Sequence, residues 1–200
     1  MPSTQNPLNN NQSALELLLS RRSLVAVNMI APGPTKEELQ TIVTAGMRVP
    51  DHGRIAPWRI QIIEKSGRQR LIETQTRVFR ADFPEESEKK LEALNLITEN
   101  VPTLLVVTSH PDERKYAKVP LLEQQLSGGA LCQNMLLAAH AMGYVAQWLT
   151  GWRAYHDEIK TLLGHSPETD ILGFILIGST GVLPSERQRP DEKDVVSLWP

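Results

Sequence analysis

Three groups of side chains along the 200-residue chain have types and spacing that suit the binding of an anion. The first is Arg21-Arg22-Ser23, two guanidiniums and a hydroxyl at a chain turn. Such a set can hold a phosphate through charge-assisted hydrogen bonds. The same arginines at a helix end would also complement its macrodipole and cap its carbonyls. The second group is Arg48-Val-Pro50-Asp51-His52-Gly-Arg54-Ile-Ala-Pro57-Trp58, which also reads as a rigid turn between a helix and a strand. The third is Arg187-Gln-Arg189-Pro190, with a solvated loop as its plainer reading. The sequence contains no Gly-x-Gly-x-x-Gly after a strand, no Gly-x-x-x-x-Gly-Lys-Ser/Thr and no Gly-x-Ser-x-Gly. The histidines, at 52, 110, 140, 156 and 165, form no His-x-x-x-His pair. His110-Pro-Asp112-Glu113 carries metal-ligand types, but a solvated turn is the better reading. Cys132, among apolar neighbours, reads as a buried and inert thiol.

These groups need elements to position them. Residues 1–12 read as a disordered tail, rich in Asn, Gln and Pro. Ser13 and Glu16 have capping-box spacing, and Leu15, Leu18 and Leu19 then share one helical face up to Arg22. Thr35 and Glu38 repeat the signal, and Leu39, Ile42, Val43, Gly46 and Met47 follow at helical spacing until Val49-Pro50. Trp58 to Glu64 alternates as a strand, with Ile60 and Ile62 on one side. Ser66 to Ala81 and Pro84 to Asn100 read as two charged outer helices. Thr103 to Ser109, Val145 to Leu149 and Ile171 to Ile177 complete the strands, with a short helix from about Tyr155. Pro120 to Met142 is a long, largely apolar helix closed by Gly143 and holding the small residues Ser127-Gly-Gly-Ala130, and so is expected at the centre. The order predicts an α+β fold with a central mixed or antiparallel sheet flanked by helices, formed by residues 13–200 as one domain. Val195 to Trp199 is apolar and β-prone after a polar stretch, an ending that packing onto a partner chain would explain.

Composition narrows the function classes. Lys and Arg number 21 against 23 Asp and Glu, a net charge of −2, which argues against a dedicated nucleic-acid binder. With 4 Trp, 3 Tyr and 3 Phe, an extended base-stacking platform is also disfavoured. One cysteine excludes an internal disulfide and any multi-thiolate metal site within one chain. The start lacks a signal-peptide pattern and the apolar runs are too short to span a bilayer, so no membrane association and a cytoplasmic location are expected.

From about Leu15 to Leu198 the chain resembles the nitroreductase family of FMN-dependent oxidoreductases, in particular its small bacterial YdjA-like branch. The resemblance is carried by Ala14-Leu-Glu-Leu-Leu-Leu-Ser-Arg-Arg-Ser23, Ala45-Gly-Met-Arg-Val-Pro-Asp-His52, Pro57-Trp58 and Lys118-Val-Pro120 with Glu123-Gln124. Gln147-Trp-Leu-Thr-Gly151 and Gly173-Phe-Ile-Leu-Ile-Gly178 complete it. It implies an intertwined homodimer with two FMN sites at the subunit interface. Arg21 and Ser23 would hold the FMN phosphate, Arg22 would lie near the ribityl chain or ring edge, and Arg187 or Arg189 would help neutralise the phosphate. Arg48, Pro50 and His52 would arrive from the partner subunit, and Trp148, Leu149 and Thr150 would line the isoalloxazine. Many relatives carry a lysine two residues after the Arg-x-Ser serine, where this chain has Val25; Arg48, Arg54 or His52 of a second copy is the expected substitute. The implied activity is NAD(P)H oxidation through FMN by a ping-pong route, with a nitroaromatic, quinone or similar small molecule as acceptor. Reductive dehalogenation or flavin fragmentation on the same fold is an alternative, as is a non-catalytic dimer binding a phosphorylated ligand.

Overall fold

The computed structural model describes residues 13–199; the tail expected at 1–12 lies outside the described residues. Both capping boxes form. The Ser13 hydroxyl accepts from the Glu16 N–H at the start of α1 (Ala14–Ser20), and Thr35 does the same for Glu38 in α2 (Lys36–Gly46). The sheet comprises β1 (Trp58–Ile62), β2 (Thr103–Ser109), β3 (Val145–Leu149) and β4 (Ile171–Gly178). It is antiparallel throughout in the order β1-β2-β4-β3, so no mixed pairing occurs among the described residues. Every residue of β2 is buried, which fits a central strand with both faces covered.

Alternation along the central strands feeds two apolar layers. Leu104, Val106, Phe174 and Leu176 face a layer with Leu71, Ala154 and Ile159. Leu105, Val107, Ile175 and Ile177 face the opposite layer with Ile42, Leu131 and Met135. The first is covered by α3 (Lys65–Asp82), α4 (Glu88–Asn100), α6 (Trp152–Tyr155) and α7 (Asp157–Leu162), the second by α2 and α5 (Leu121–Ala141). One short helix was expected before β4; two form, α6 and α7, because the His156 side chain starts a new cap on the Glu158 N–H. Helix α4 begins at Glu88 rather than Pro84, where the Ser87 hydroxyl supplies the cap. A Cβ on Gly46 would lie 2.4 Å from Met135 Cγ, so α2 approaches α5 at a point that only glycine permits.

Helix α5 is central to the assembly, packing on α1, α2 and three strands. Its Cys132 is buried, and burial pushes the thiol up to about 12, which keeps it protonated and unreactive near neutrality. Leu15, Leu18 and Leu19 of α1, with Leu122 and Leu126 of α5, remain exposed. The C-terminal stretch forms no strand: α8 (Glu192–Val195) precedes Leu198 and Trp199, which are 96% and 95% exposed. Among the described residues no helix is long and apolar enough to cross a membrane.

Candidate functional site

The end of α1 and the C-terminal segment meet. Arg22 donates from Nε to the Ser185 carbonyl at 3.0 Å, and its Nη1 lies 3.7 Å from Glu186 Oε1. Arg189 Nη2 lies 3.8 Å from the same carboxylate oxygen. Arg21 Nε is buried and has no hydrogen-bond partner. Burial, and then the positive charges of Arg189 and Arg22, depress the Arg21 pKa below its ordinary value. Arg22 and Arg189 therefore share one largely exposed carboxylate, while Arg21, which feels the charge of both, pairs with none, and Ser23 is exposed beside them. Two unit charges several Å apart near a protein surface repel by about 2 kcal/mol. An exposed ion pair or a helix macrodipole returns no more than about 1 kcal/mol. The macrodipole reading of these arginines thus leaves the cluster uncompensated, and the orphaned Arg21 Nε fits a bound anion such as the FMN phosphate. Of the two candidates in the C-terminal segment, Arg189 joins this cluster. Arg187 contributes a backbone N–H to Glu186 at 2.8 Å, and its guanidinium makes no ion pair among the described residues.

Gln147 fastens this segment to the sheet: its Oε1 accepts from the Ala26 N–H at 2.8 Å. The sequence showed Gln147 within a motif but gave no hint of this role. Directly after it, Trp148 and Leu149 point to opposite faces of β3. Trp148 packs with the α5 layer and donates from Nε1 to the Leu172 carbonyl at 2.9 Å. A Cβ on Gly173 would lie 2.0 Å from that indole nitrogen, so glycine there makes room for the ring. Leu149 packs with the other layer and, with Thr150, lines a cleft of about 490 Å³. The three residues expected to act together are therefore divided between two faces, with only two of them at the cleft.

The turn holding Arg48, Pro50 and His52 runs along α5, with Arg48 beside Asn134 in its C-terminal half and His52 beside Glu123 in its first turn. The Arg48 carbonyl accepts from Asn134 Nδ2 at 3.0 Å, and His52 Nδ1 lies 2.7 Å from Glu123 Oε2. Asp51 shapes this turn through its carboxylate, which accepts from the Ile55 and Ala56 N–H groups at 3.1 and 2.8 Å. The rigid-turn reading of this segment is therefore met. The electrostatic contact of Arg21 is with His140, near the C-terminus of α5, whereas His52 meets Glu123 near its N-terminus. At 1.5 Å per residue these points are about 25 Å apart along the helix. One chain thus keeps His52 away from the arginine cluster, whereas Arg48, beside Asn134, is about 9 Å from His140 along the helix.

The cleft contains a residue that sequence reading missed. Its walls include Phe79, Phe83 and Trp152, whose rings are mutually tilted at centroid separations of 5.4–5.8 Å. Arg153 also lines it, only 2% exposed. Its guanidinium lies 3.9 Å from the centroid of the Phe174 ring, and Nη1 donates to Thr98 Oγ1 at 3.2 Å. Nη2 has no acceptor, and no carboxylate pairs with Arg153 among the described residues. Desolvation brings its pKa down to about 10, which still leaves it charged near neutrality. A desolvated cation–π contact is worth about 2 kcal/mol, whereas burying an unpaired ion costs several. Nothing in Trp152-Arg-Ala-Tyr155 marks this arginine out; its burial arises from α4 and β4 closing over it.

At His110-Pro-Asp112-Glu113 the Asp112 carboxylate is engaged by Arg114 Nε at 2.8 Å, as a solvated turn requires. Among the described residues no group of three or more His, Cys, Asp or Glu side chains is placed to hold a metal ion.

The profile of the Nitroreductase family matches residues 30–179. An Escherichia coli (strain K12) protein named "Putative NAD(P)H nitroreductase YdjA" is 32% identical over 169 residues, covering 83% of this chain and 87% of that protein. A Haemophilus influenzae protein, "Putative NAD(P)H nitroreductase", is 32% identical over 92% of this chain and 98% of its own length. In fold the chain is similar to a nitroreductase-like family protein from Bacillus cereus, with a TM-score of 0.80, 21% identity, and coverage of 96% and 98% of the two chains. It is also similar to the NADPH:FMN oxidoreductase from Vibrio harveyi complexed with NAD+, with a TM-score of 0.71, 21% identity, and coverage of 92% and 76%. With the family profile spanning most of the chain and the α+β architecture shared, the chain belongs to the nitroreductase family.

Proposed function

We propose that the protein is an FMN-dependent NAD(P)H oxidoreductase that reduces a small acceptor such as a nitroaromatic or quinone. The observation that carries this reading is the gathering of Arg21, Arg22 and Arg189 around an orphaned buried guanidinium nitrogen, within a chain of this family. FMN, when bound, supplies the hydride and electron transfer. The chain's own residues bind and orient. Arg21, Arg22, Ser23 and Arg189 would hold the phosphate, whose charge near −2 offsets their mutual repulsion. Gln147 fixes the 21–26 segment against β3, and so sets the distance from the phosphate cluster to Leu149 and Thr150. Leu149 and the aromatic cleft wall exclude water from the side on which an acceptor would approach.

The site would be completed by a second copy. In a two-fold dimer the same patch meets itself, so one copy's N-terminal end of α5 can lie beside the other's C-terminal end. That arrangement would bring Arg48, Pro50 and His52 of the second copy to the phosphate cluster, His52 among them across the gap of about 25 Å that one chain leaves. The exposed Leu15, Leu18, Leu19, Leu122 and Leu126, with the extended apolar C-terminus, suit burial in such an interface. The buried free thiol suits a reducing compartment such as the cytoplasm.

Anaerobic addition of NADH or NADPH to the FMN-loaded protein tests the activity. The flavin absorbance should bleach with one of them and return when a nitroaromatic or quinone is added. A protein that takes up no FMN contradicts the proposal. A yellow protein inert to both nicotinamides favours different flavin chemistry.

A further inference from the structure

The aromatic walls of the cleft come from separate elements. Phe79 belongs to α3 and Phe83 follows directly on it, whereas Trp152 opens α6. His156 joins them. It stands alone between α6 and α7 in an extended conformation (φ −82°, ψ 126°), closing one helix and starting the other. Its Nδ1 accepts from the Glu158 N–H at 3.1 Å. Its Nε2 lies 3.0 Å from Oδ2 of Asp82, the last residue of α3 and the neighbour of Phe83. The ring meets Trp152 edge-on, with centroids 6.3 Å apart and planes at 83°.

Those two partners fix the tautomer. A backbone N–H only donates, so Nδ1 carries the lone pair; a carboxylate only accepts, so the ring proton sits on Nε2. The neutral ring satisfies both contacts at once. The cation cannot, because a proton on Nδ1 would face the Glu158 N–H. Protonation is nevertheless favoured by the charges around the ring: Asp82 from α3, and Asp157 and Glu158 in the first turn of α7. Arg77 of α3 opposes it but is paired with Glu158, and Arg153 of α6 is engaged by Phe174 and Thr98. We propose that His156 is a positioning residue that holds the two aromatic walls together while its ring is neutral and releases α7 and Trp152 when it is protonated. This deepens the oxidoreductase reading, on which it rests, by making acceptor binding in the cleft depend on pH. The competing account is that His156 only caps α7, the half-exposed Asp82 carboxylate adding nothing.

Histidine side chains change charge between about pH 8 and pH 5. Calorimetric titration of the FMN-loaded protein with 4-nitrobenzamide, which stays uncharged over that range, decides between the accounts when run at both ends. The wild-type protein should bind about three- to tenfold more weakly at the acid end, the size of effect that a lost helix cap produces. His156→Asn keeps an oxygen to cap α7 but cannot titrate, so its affinities at the two ends should agree within about twofold. Asp82→Ala should weaken binding at the neutral end by about threefold or more, because the tie between the walls is gone. A histidine that only caps α7 would leave that affinity unchanged. Equal wild-type binding at the two ends overturns the proposal without calling on a variant that fails to fold. So does an acid loss in folded His156→Asn as large as that of the wild type, an unchanged affinity in Asp82→Ala, or no binding at either end. Anaerobic turnover separates the two levels of inference. If the reduced flavin passes electrons to no nitroaromatic or quinone, the oxidoreductase reading fails, while the binding profile still decides the role of His156.

Discussion

Arg22 reaches across 163 positions of sequence to donate from Nε to the Ser185 carbonyl at 3.0 Å. This bond brings Glu186 and Arg189 over the end of α1, making the cation cluster a joint product of the two chain ends. Phosphate affinity should then depend on residues of both ends but not equally on neighbouring arginines. Arg189→Ala and Arg21→Ala each remove a charge-assisted bond of about 1.5–3 kcal/mol and should weaken FMN binding by about 10- to 100-fold. Arg187→Ala should change it by no more than about twofold. Fluorescence titration of the apoprotein with FMN measures all three.

Glu186 occupies the position between Arg22 and Arg189 that an external anion would share. Because its carboxylate is largely exposed, the competition is worth less than about 1 kcal/mol. Glu186→Gln should therefore tighten FMN binding by about three- to fivefold. A loss of affinity would show instead that Glu186 holds the arginines in place.

His140, near the end of α5, is held neutral: burial first, and then the Arg21 charge, lower its pKa from the model-compound value of 6.5 to about 4. The unfolded chain binds this proton below about pH 6.5, whereas the folded chain does not until about pH 4. The stability His140 confers is thus present above pH 6.5 and is lost as pH falls toward 4, by about 3 kcal/mol in all. Urea unfolding at pH 7 and pH 4.5 should show a smaller acid loss in His140→Asn than in the wild type. Equal losses would show that other groups carry the acid sensitivity.

Gly173 lies under the Trp148 indole, where an added Cβ has no room. Gly173→Ala should destabilise the fold by about 1–3 kcal/mol through overpacking. The double variant with Trp148→Ala should lose less than the sum of the two single changes, since the clash partner has gone. Denaturant midpoints test this coupling.

Much of the architecture could be read from local chemistry. The capping boxes at Ser13 and Thr35, the apolar alternation in Thr103–Ser109 and the length of α5 each follow from rules acting within a few residues. The candidate site was legible only in part. Arg21-Arg22-Ser23 stands out because two guanidiniums and a hydroxyl are adjacent in sequence, but the choice of Arg189 over Arg187 depends on how the chain returns after β4. The division of Trp148 from Leu149 follows from the two-residue period of β3, which a motif read as one word conceals. Arg153 was invisible because its burial is created wholly by distant elements, Thr98 on α4 and Phe174 on β4.

Deleting residues 195–200 removes the exposed Val195, Val196, Leu198 and Trp199. Self-association and FMN retention should both fall, as read by sedimentation and by flavin content after gel filtration. A truncated chain that stays dimeric and fully loaded would remove the C-terminus from the proposed interface.

We propose that the cluster of Arg21, Arg22 and Arg189 holds the phosphate of FMN. Comparing the affinity of the apoprotein for FMN with that for riboflavin tests it most directly, since the two differ only in that group. FMN should bind about 100-fold more tightly or better, and Arg21→Ala and Arg189→Ala should each cut this preference by at least tenfold. Equal affinity for the two flavins would contradict it.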